Sequence, residues 1–240
     1  DIGRLADFVE DIKIWVEPMI FMILSTVFPT IRIWPDSTAS AVIEWLHETL
    51  QLFGLQSSTT LSYYLPLLEY VENLIQEGRD VILTGHSLGG GLARIVGSVA
   101  KVPSITFSPP GIAQSYRKFQ VAPGTIGRAS LNHESVTVIP EHDFVPLIDT
   151  QVGLIQKISC GASAKALHGA CHMLEVTLCE LINQCGDSRG RYVRCEWEYK
   201  LGNLVTFFID LMKNELMNWV APGIALLIIF VAILIVPEGI

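Results

Sequence analysis

Val81-Ile82-Leu83-Thr84 runs directly into Gly85-His86-Ser87-Leu88-Gly89, and Gly90-Gly91-Leu92-Ala93 follows without a break. A short apolar, partly β-branched run of that length predicts a strand buried on both faces. Gly89 to Ala100 predicts the helix that comes next, so the chain must turn sharply in the few residues between. A serine at such a strand-to-helix turn takes up a strained backbone, and glycines two residues to either side let strand and helix approach without clash. The turn exposes Oγ, which makes Ser87 the candidate nucleophile and Gly85, His86 and Gly89 its elbow. The helix that starts there points its first N–H groups at the reacting oxygen, so the Leu88 amide becomes one oxyanion donor.

Upstream, Val42, Ile43, Leu46, Leu50 and Phe53 recur at three- and four-residue spacing behind Ser37 and Thr38, which predicts a capped helix from Asp36 to Phe53. Tyr63 to Gln76 repeats the pattern, and Gly78 ends it. Downstream, Ser104 to Phe107 and Ser135 to Ile139 read as further short strands among loops rich in Pro and Gly. Helices alternating with buried strands predict an α/β fold around a mostly parallel sheet. Trp15 to Trp34 is apolar but broken by Glu17, Pro18, Pro29 and Arg32. Two readings stay open for it, a core helix or hairpin and a lipid-facing flap. No internal repeat or low-complexity tract is present.

A serine nucleophile needs a base, and the base needs an orienting acid. At a strand-turn-helix site these follow in the chain order serine, acid, histidine. That order excludes His47 and also His133 and His142, which precede the acid, while His86 reads as a side chain packed beside the turn. The acid is read at Asp143, in Pro140-Glu141-His142-Asp143, where a loop at the end of a strand can reach back toward the elbow. Asp149 and Glu141 are the runners-up for the acid, each read first as a solvated loop charge. His168 and His172 remain for the base. His172 is favoured because it opens the apolar-periodic segment Met173, Leu174, Val176, Leu178 and Leu181, a helix start that holds a base firmly, and His168 stays as the alternative.

Of the 240 residues, 50% are apolar and 17% charged, which excludes a disordered chain. With 16 Lys and Arg against 24 Asp and Glu the net charge is −8, and no basic stripe is present to track phosphates, so nucleic acid is excluded as a partner. The mean hydropathy of +0.43 reflects a local concentration of apolar residues. Leu216 to Pro237 carries no charge, and Trp219 to Val236 would span about 27 Å as a helix, close to the thickness of a bilayer core. This predicts a single-pass C-terminal membrane anchor with Trp219 at an interface and Pro237 as its stop. Lys213 is the only basic residue close before it and none follows, so topology and organelle stay open. The opening residues, with Asp1, Asp7, Glu10 and Asp11, do not read as a signal peptide: the chain has none or its true start lies upstream. All five cysteines, Cys160, Cys171, Cys179, Cys185 and Cys195, fall in one stretch. They fit two disulfides with one left over in an oxidising lumen, or five cytosolic thiols. The lack of a C-x-x-C pair argues against a structural zinc site, and no metal is expected.

Residues 81–93, the hydrophobic segment before Asp143 with Val145-Pro146 after it, and a later histidine together resemble the class 3 lipases, the fungal-type triacylglycerol lipases of the α/β-hydrolase fold. The resemblance covers about residues 1–185. It implies that Ser87, Asp143 and His172 form a catalytic triad, that Leu88 N–H is an oxyanion donor, and that the substrate is a fatty-acyl ester, with no cofactor needed. It also implies a lid helix. Leu5, Phe8, Val9 and Ile12, interleaved with Asp7, Glu10 and Asp11, give Arg4 to Val16 the amphipathic pattern of one, expected to cover the site and to open at a lipid surface. The Arg-Gly-Thr or Gly-Ser type loop that supplies the second oxyanion donor in such lipases is missing before that helix, so this loop and the first strands are expected upstream of Asp1. The interval from Asp143 to the histidine is shorter than in the fungal enzymes, which keeps His168 beside His172.

The expected organisation is a class 3 lipase-like domain over 1–200, a linker over 201–215 and a transmembrane helix over 216–237. The expected function is that of a membrane-tethered serine hydrolase acting on triacylglycerol or a related lipid through an acyl-enzyme. Lipid and membrane are its expected partners, and no protein partner is read. A phospholipase or acyltransferase on the same triad, and a non-catalytic membrane interaction module of the same fold, are the alternatives.

Overall fold

The computed structural model describes residues 14–53, 64–119, 131, 135–160, 170–186 and 189–191, which fall in two compact units. The lid segment before Ile14, His133, His168, Cys195, the 201–215 linker and the 216–237 span lie outside the described residues. Among those described, no helix is long and apolar enough to cross a membrane.

The described part of the first unit is a helical hairpin of α1 (Val16–Val27), a 3-10 turn (Pro29–Ile33) and α2 (Asp36–Leu52). Val16, Ile20, Phe21 and Leu24 pack against Ala39, Ile43, Leu46 and Leu50, spacings that bring one stripe of each helix to a shared seam. Each large side chain buried there contributes about 1.5–3 kcal/mol. Over α1 the Trp15 to Trp34 stretch is thus a core helix, while Val27, Phe28 and Ile33 around the turn stay exposed. Glu17, which interrupts the apolar run, is fully buried, with its Oε1 2.6 Å from His47 Nδ1. Gln51 Nε2, which can only donate, lies 3.0 Å from His47 Nε2, so the ring proton sits on Nδ1 and points at the carboxylate. The helix α2 begins directly after Pro35, and neither Ser37 nor Thr38 caps it, because both already lie inside its first turn. Asp36 supplies the negative charge that a helix start favours.

In the second unit α3 (Leu65–Gln76) ends at Gly78, whose φ of +75° suits glycine. Four parallel strands, β1 (Leu83–His86), β2 (Ser104–Phe107), β3 (Ser135–Pro140) and β4 (Leu154–Ile158), lie in the order β1-β2-β3-β4. Between β1 and β2 the chain runs through α4 (Ser87–Ala100), which packs on both strands and against α3. The last described helix is α5 (Leu174–Cys185). This is the expected α/β arrangement, a parallel sheet flanked by helices, and all four strands deliver their C-terminal ends to one edge.

Close approach between β1 and α4 depends on missing side chains. A Cβ on Gly85 would collide with the carbonyl of Gly89, and one on Gly90 would press on Gly85 O at 3.0 Å and Pro109 Cβ at 3.1 Å. A Cβ on Gly89 would meet nothing within 4 Å. The glycines that the packing requires are therefore Gly85 and Gly90, not the expected pair Gly85 and Gly89. Further along, a Cβ on Gly97 would come within 2.9 Å of the Val102 carbonyl.

Other expectations shift as well. The first strand begins at Leu83, two residues into the apolar run, and α4 begins at Ser87 rather than Gly89. Being the end strand of the described sheet, β1 is not buried on both faces: Thr84 within it is exposed, and Ile82 just before it is 63% exposed. The sequence pattern does not reveal β4, because Leu154, Ile155, Gln156 and Lys157 are all exposed on the opposite end strand and no alternation survives. The five-thiol reading does not hold: Cys160 and Cys171 form a disulfide, Cys179 is disulfide-bonded as well, and Cys185 is a free, exposed thiol.

Gly85→Ala should lower the stability of the fold by about 3 kcal/mol, since the new methyl can be accommodated only by moving backbone. Gly89→Ala should be neutral or stabilising by up to about 1 kcal/mol, because alanine favours the helix and meets no neighbour. Urea unfolding of the two variants measures the contrast, and equal midpoints would refute the packing argument.

Candidate active site

Ser87 stands between the last residue of β1, the extended His86 (φ −116°, ψ 144°), and the body of α4. Its own φ is +56°, a left-handed conformation that a side chain disfavours. Only a strand and helix held in fixed relation keep a serine there, and Gly85 and Gly90 permit that relation. Leu88 is buried in the first turn of α4, where the first four N–H groups have no partner within the helix. Its amide is therefore one of the few free to serve an oxygen at Ser87.

Asp143 lies in the loop beyond β3, almost fully buried, with Oδ1 3.0 Å from the amide of Val145. His172 ends a short 3-10 turn (Ala170–His172) just ahead of α5, whose N-cap is Met173. The Cys160–Cys171 disulfide ties that turn to the chain leaving β4, an 11-residue separation for which closure entropy is worth about 3 kcal/mol. His172 Nδ1 sits 3.0 and 3.1 Å from the two oxygens of Asp143, and its Nε2 sits 2.8 Å from Ser87 Oγ. A carboxylate only accepts, so Nδ1 carries the proton and Nε2 presents a lone pair to the serine hydroxyl. The three side chains thus form one hydrogen-bonded chain across 85 and 29 residues of sequence.

His86 has more contact with this chain than the packed-beside-the-turn reading allowed. Its Nε2 lies 2.7 Å from the main-chain carbonyl of His172, and the two imidazole rings sit 4.9 Å apart, 35° from parallel. Burial, and then the neighbouring His172, hold its pKa below the ordinary 6.5. Phe144 approaches the His172 ring at 5.9 Å.

Asp149, expected as a solvated loop charge, is instead a clamp. Its carboxylate accepts from the amides of Gln114 and Ser115 at 2.8 and 2.9 Å and from Ser115 Oγ at 2.6 Å. Desolvation pushes its pKa up, and those hydrogen bonds pull it back. Glu141 and His142 are exposed beside Asp143, as loop residues would be. A second clamp escaped the sequence reading. Arg94, fully buried on α4, donates to Pro110 O and Val152 O at 3.3 and 2.9 Å and to Gln151 Oε1 at 2.6 Å. Gln151 Nε2 in turn donates to Pro109 O and Pro146 O at 2.9 and 3.0 Å. Burial pulls the Arg94 pKa down to about 10, with Asp149 opposing. The signal in the sequence was an arginine among Ala93, Ile95 and Val96, which marks a cation on a buried helix face.

A cleft of about 630 Å³, lined by Ile139, Pro140, Asp143, Pro146, Leu147, Ile155 and their neighbours, opens beside the Asp143 loop, with neither Ser87 nor His172 in its wall. Among the described residues no group of three or more His, Cys, Asp or Glu converges to hold a metal ion.

The family model described as lipase (class 3) matches residues 9–152, a span that contains the elbow and Asp143 and ends before His172. No curated protein matches the chain. With more than half of its length inside that match, and the strand-to-helix serine turn at the centre of it, this chain belongs to the class 3 lipase family, a family of lipase-type acyl-ester hydrolases.

Proposed function

We propose that the protein is a serine hydrolase that cleaves fatty-acyl esters at a membrane, with Ser87 as nucleophile, His172 as base and Asp143 as its orienting acid. The observation that carries this reading is the position of His172, 2.8 Å from Ser87 Oγ on one side and 3.0 Å from Asp143 on the other. In acylation, Ser87 Oγ attacks the ester carbonyl carbon while its proton passes to His172 Nε2. The charge that develops on the carbonyl oxygen is met by the Leu88 N–H at the positive end of α4. The imidazolium is stabilised through Nδ1–H by Asp143, then returns the proton to the departing alcohol, leaving the acyl group on Ser87. Water, activated by the same Nε2, releases the fatty acid and restores the serine. No cofactor enters these steps.

Residues 216–237 are proposed as a single-pass anchor, on the uncharged run from Leu216 to Pro237. The Cys160–Cys171 disulfide supports placing the catalytic domain on the oxidising side of that membrane.

Ser87→Ala should lose all labelling by a fluorophosphonate, and Asp143→Asn and His172→Ala should each lower kcat on a short-chain ester by about 10³-fold or more with folding intact. Turnover close to wild type in His172→Ala, beside an inactive His168→Ala, would move the base to His168. Wild-type protein that takes no label and turns over no ester would favour the non-catalytic module.

Truncation before Leu216 should release the protein from membranes that hold the full chain through carbonate extraction. Full-length protein that washes off in carbonate would overturn the anchor.

A further inference from the structure

The mechanism uses the imidazole of His172 and leaves the second imidazole beside it, that of His86, without a role. A carbonyl oxygen carries no proton, so the 2.7 Å contact between His86 Nε2 and His172 O requires the proton to reside on His86 Nε2. That bond runs between the residue immediately before the nucleophile and the main chain of the base. The two rings also meet at 4.9 Å with a 35° tilt, so His86 touches both the backbone and the ring of His172.

We propose that His86 is a positioning residue for the base: its Nε2–H holds the His172 carbonyl while its ring backs the His172 imidazole, keeping Nε2 of the base on Ser87 and Nδ1 on Asp143. The inference rests on the Ser87, His172 and Asp143 reading above. His172 is carried by a three-residue 3-10 turn, a weak support on its own, and each of its nitrogens must stay within hydrogen-bond reach of a different partner. The disulfide fixes the neighbouring Cys171, and His86 fixes His172 itself. His86 must do so uncharged, since a cation stacked on the imidazolium formed during acylation would oppose it. The groups acting on His86 are His172, which disfavours a proton, and Asp143 and Glu175, which favour one. Burial and the charge of His172 together hold the His86 pKa below the ordinary 6.5, against the hydrogen bond to the His172 carbonyl and the two carboxylates.

The test uses the full chain in detergent with a short-chain ester and a fluorophosphonate. His86→Phe keeps a flat ring and loses the donor, while His86→Gln places an amide Nε2 near the reach of the ring Nε2. His86→Phe should lower kcat and the rate of Ser87 labelling on the order of tenfold, with KM held within about twofold, and His86→Gln should recover most of the loss at an unchanged melting temperature. Wild-type kcat in His86→Phe, or equal losses in the two variants, would overturn the proposal. A measurement on the wild type stands apart from any folding defect: ¹⁵N shifts at neutral pH should place the His86 proton on Nε2, and a proton on Nδ1 would refute the bond. Inactive Ser87→Ala beside fast His86→Phe sinks this inference alone, whereas full turnover in Ser87→Ala sinks it together with the reading beneath it.

Discussion

A left-handed backbone at Ser87 is the constraint around which the second unit is arranged. An ordinary residue resists a φ of +56°, so the strain must be held by the elements on either side, β1 entering and α4 leaving. They hold it only at a separation that excludes a Cβ on Gly85 and leaves almost no room for one on Gly90. The same close approach puts the start of α4, with its unpartnered N–H groups, at the point where the serine oxygen emerges. Three of the five described non-glycine residues with positive φ, namely Ser87, Ser108 and His142, follow the C-terminal ends of β1, β2 and β3 within two residues. Backbone strain is therefore concentrated on the edge of the sheet that bears the site.

Loops under strain need ties, and the ties here are polar and buried. Arg94 and Gln151 join α4 to the loops beyond β2 and β3, so the helix behind the serine and the loop that bears Asp143 share one hydrogen-bond network. Asp149 fastens its own loop to Gln114 and Ser115. A buried cation and a half-buried carboxylate are costly unless they are hydrogen-bonded, and their worth to the protein is fixed geometry more than stability. The helical hairpin of the first unit shows the same economy on a smaller scale, with Glu17 buried against His47 within an apolar seam.

Legibility in the sequence followed the range of the physics involved. The sharp turn at Ser87 is a local feature that Gly85-His86-Ser87-Leu88-Gly89 reveals, although the second glycine its packing needs is Gly90, and the Ser104 to Phe107 strand and the three- and four-residue spacing of α2 are local as well. The amphipathic core seam of α1 was hidden by Glu17 and Pro18, because a buried charge with a distant partner looks like an interruption. The strand β4 was hidden because an end strand with four exposed residues has no alternation to read. Asp149 and Arg94 were misread or missed for one reason: the partners that clamp them lie 16 to 58 residues away. His86 was set aside as packing because its partner, the carbonyl of His172, is 86 residues distant and belongs to the main chain.

The short interval from Asp143 to His172 ceases to be an obstacle once the topology is known. Residues following three strands of a parallel sheet meet at one edge whatever the length of chain between them, provided each strand ends there. Between Asp143 and His172 the chain returns through the loop that Asp149 and Gln151 fasten and runs along the five residues of β4, whose C-terminal end lies at that same edge. The Cys160–Cys171 bond then ties Cys171, next to His172, to the end of β4, so the 29-residue span behaves as a much shorter one. What the site requires of this segment is an exit point and a direction for one imidazole. A covalent tie at Cys171 and a hydrogen bond to the His172 carbonyl supply both within two consecutive residues.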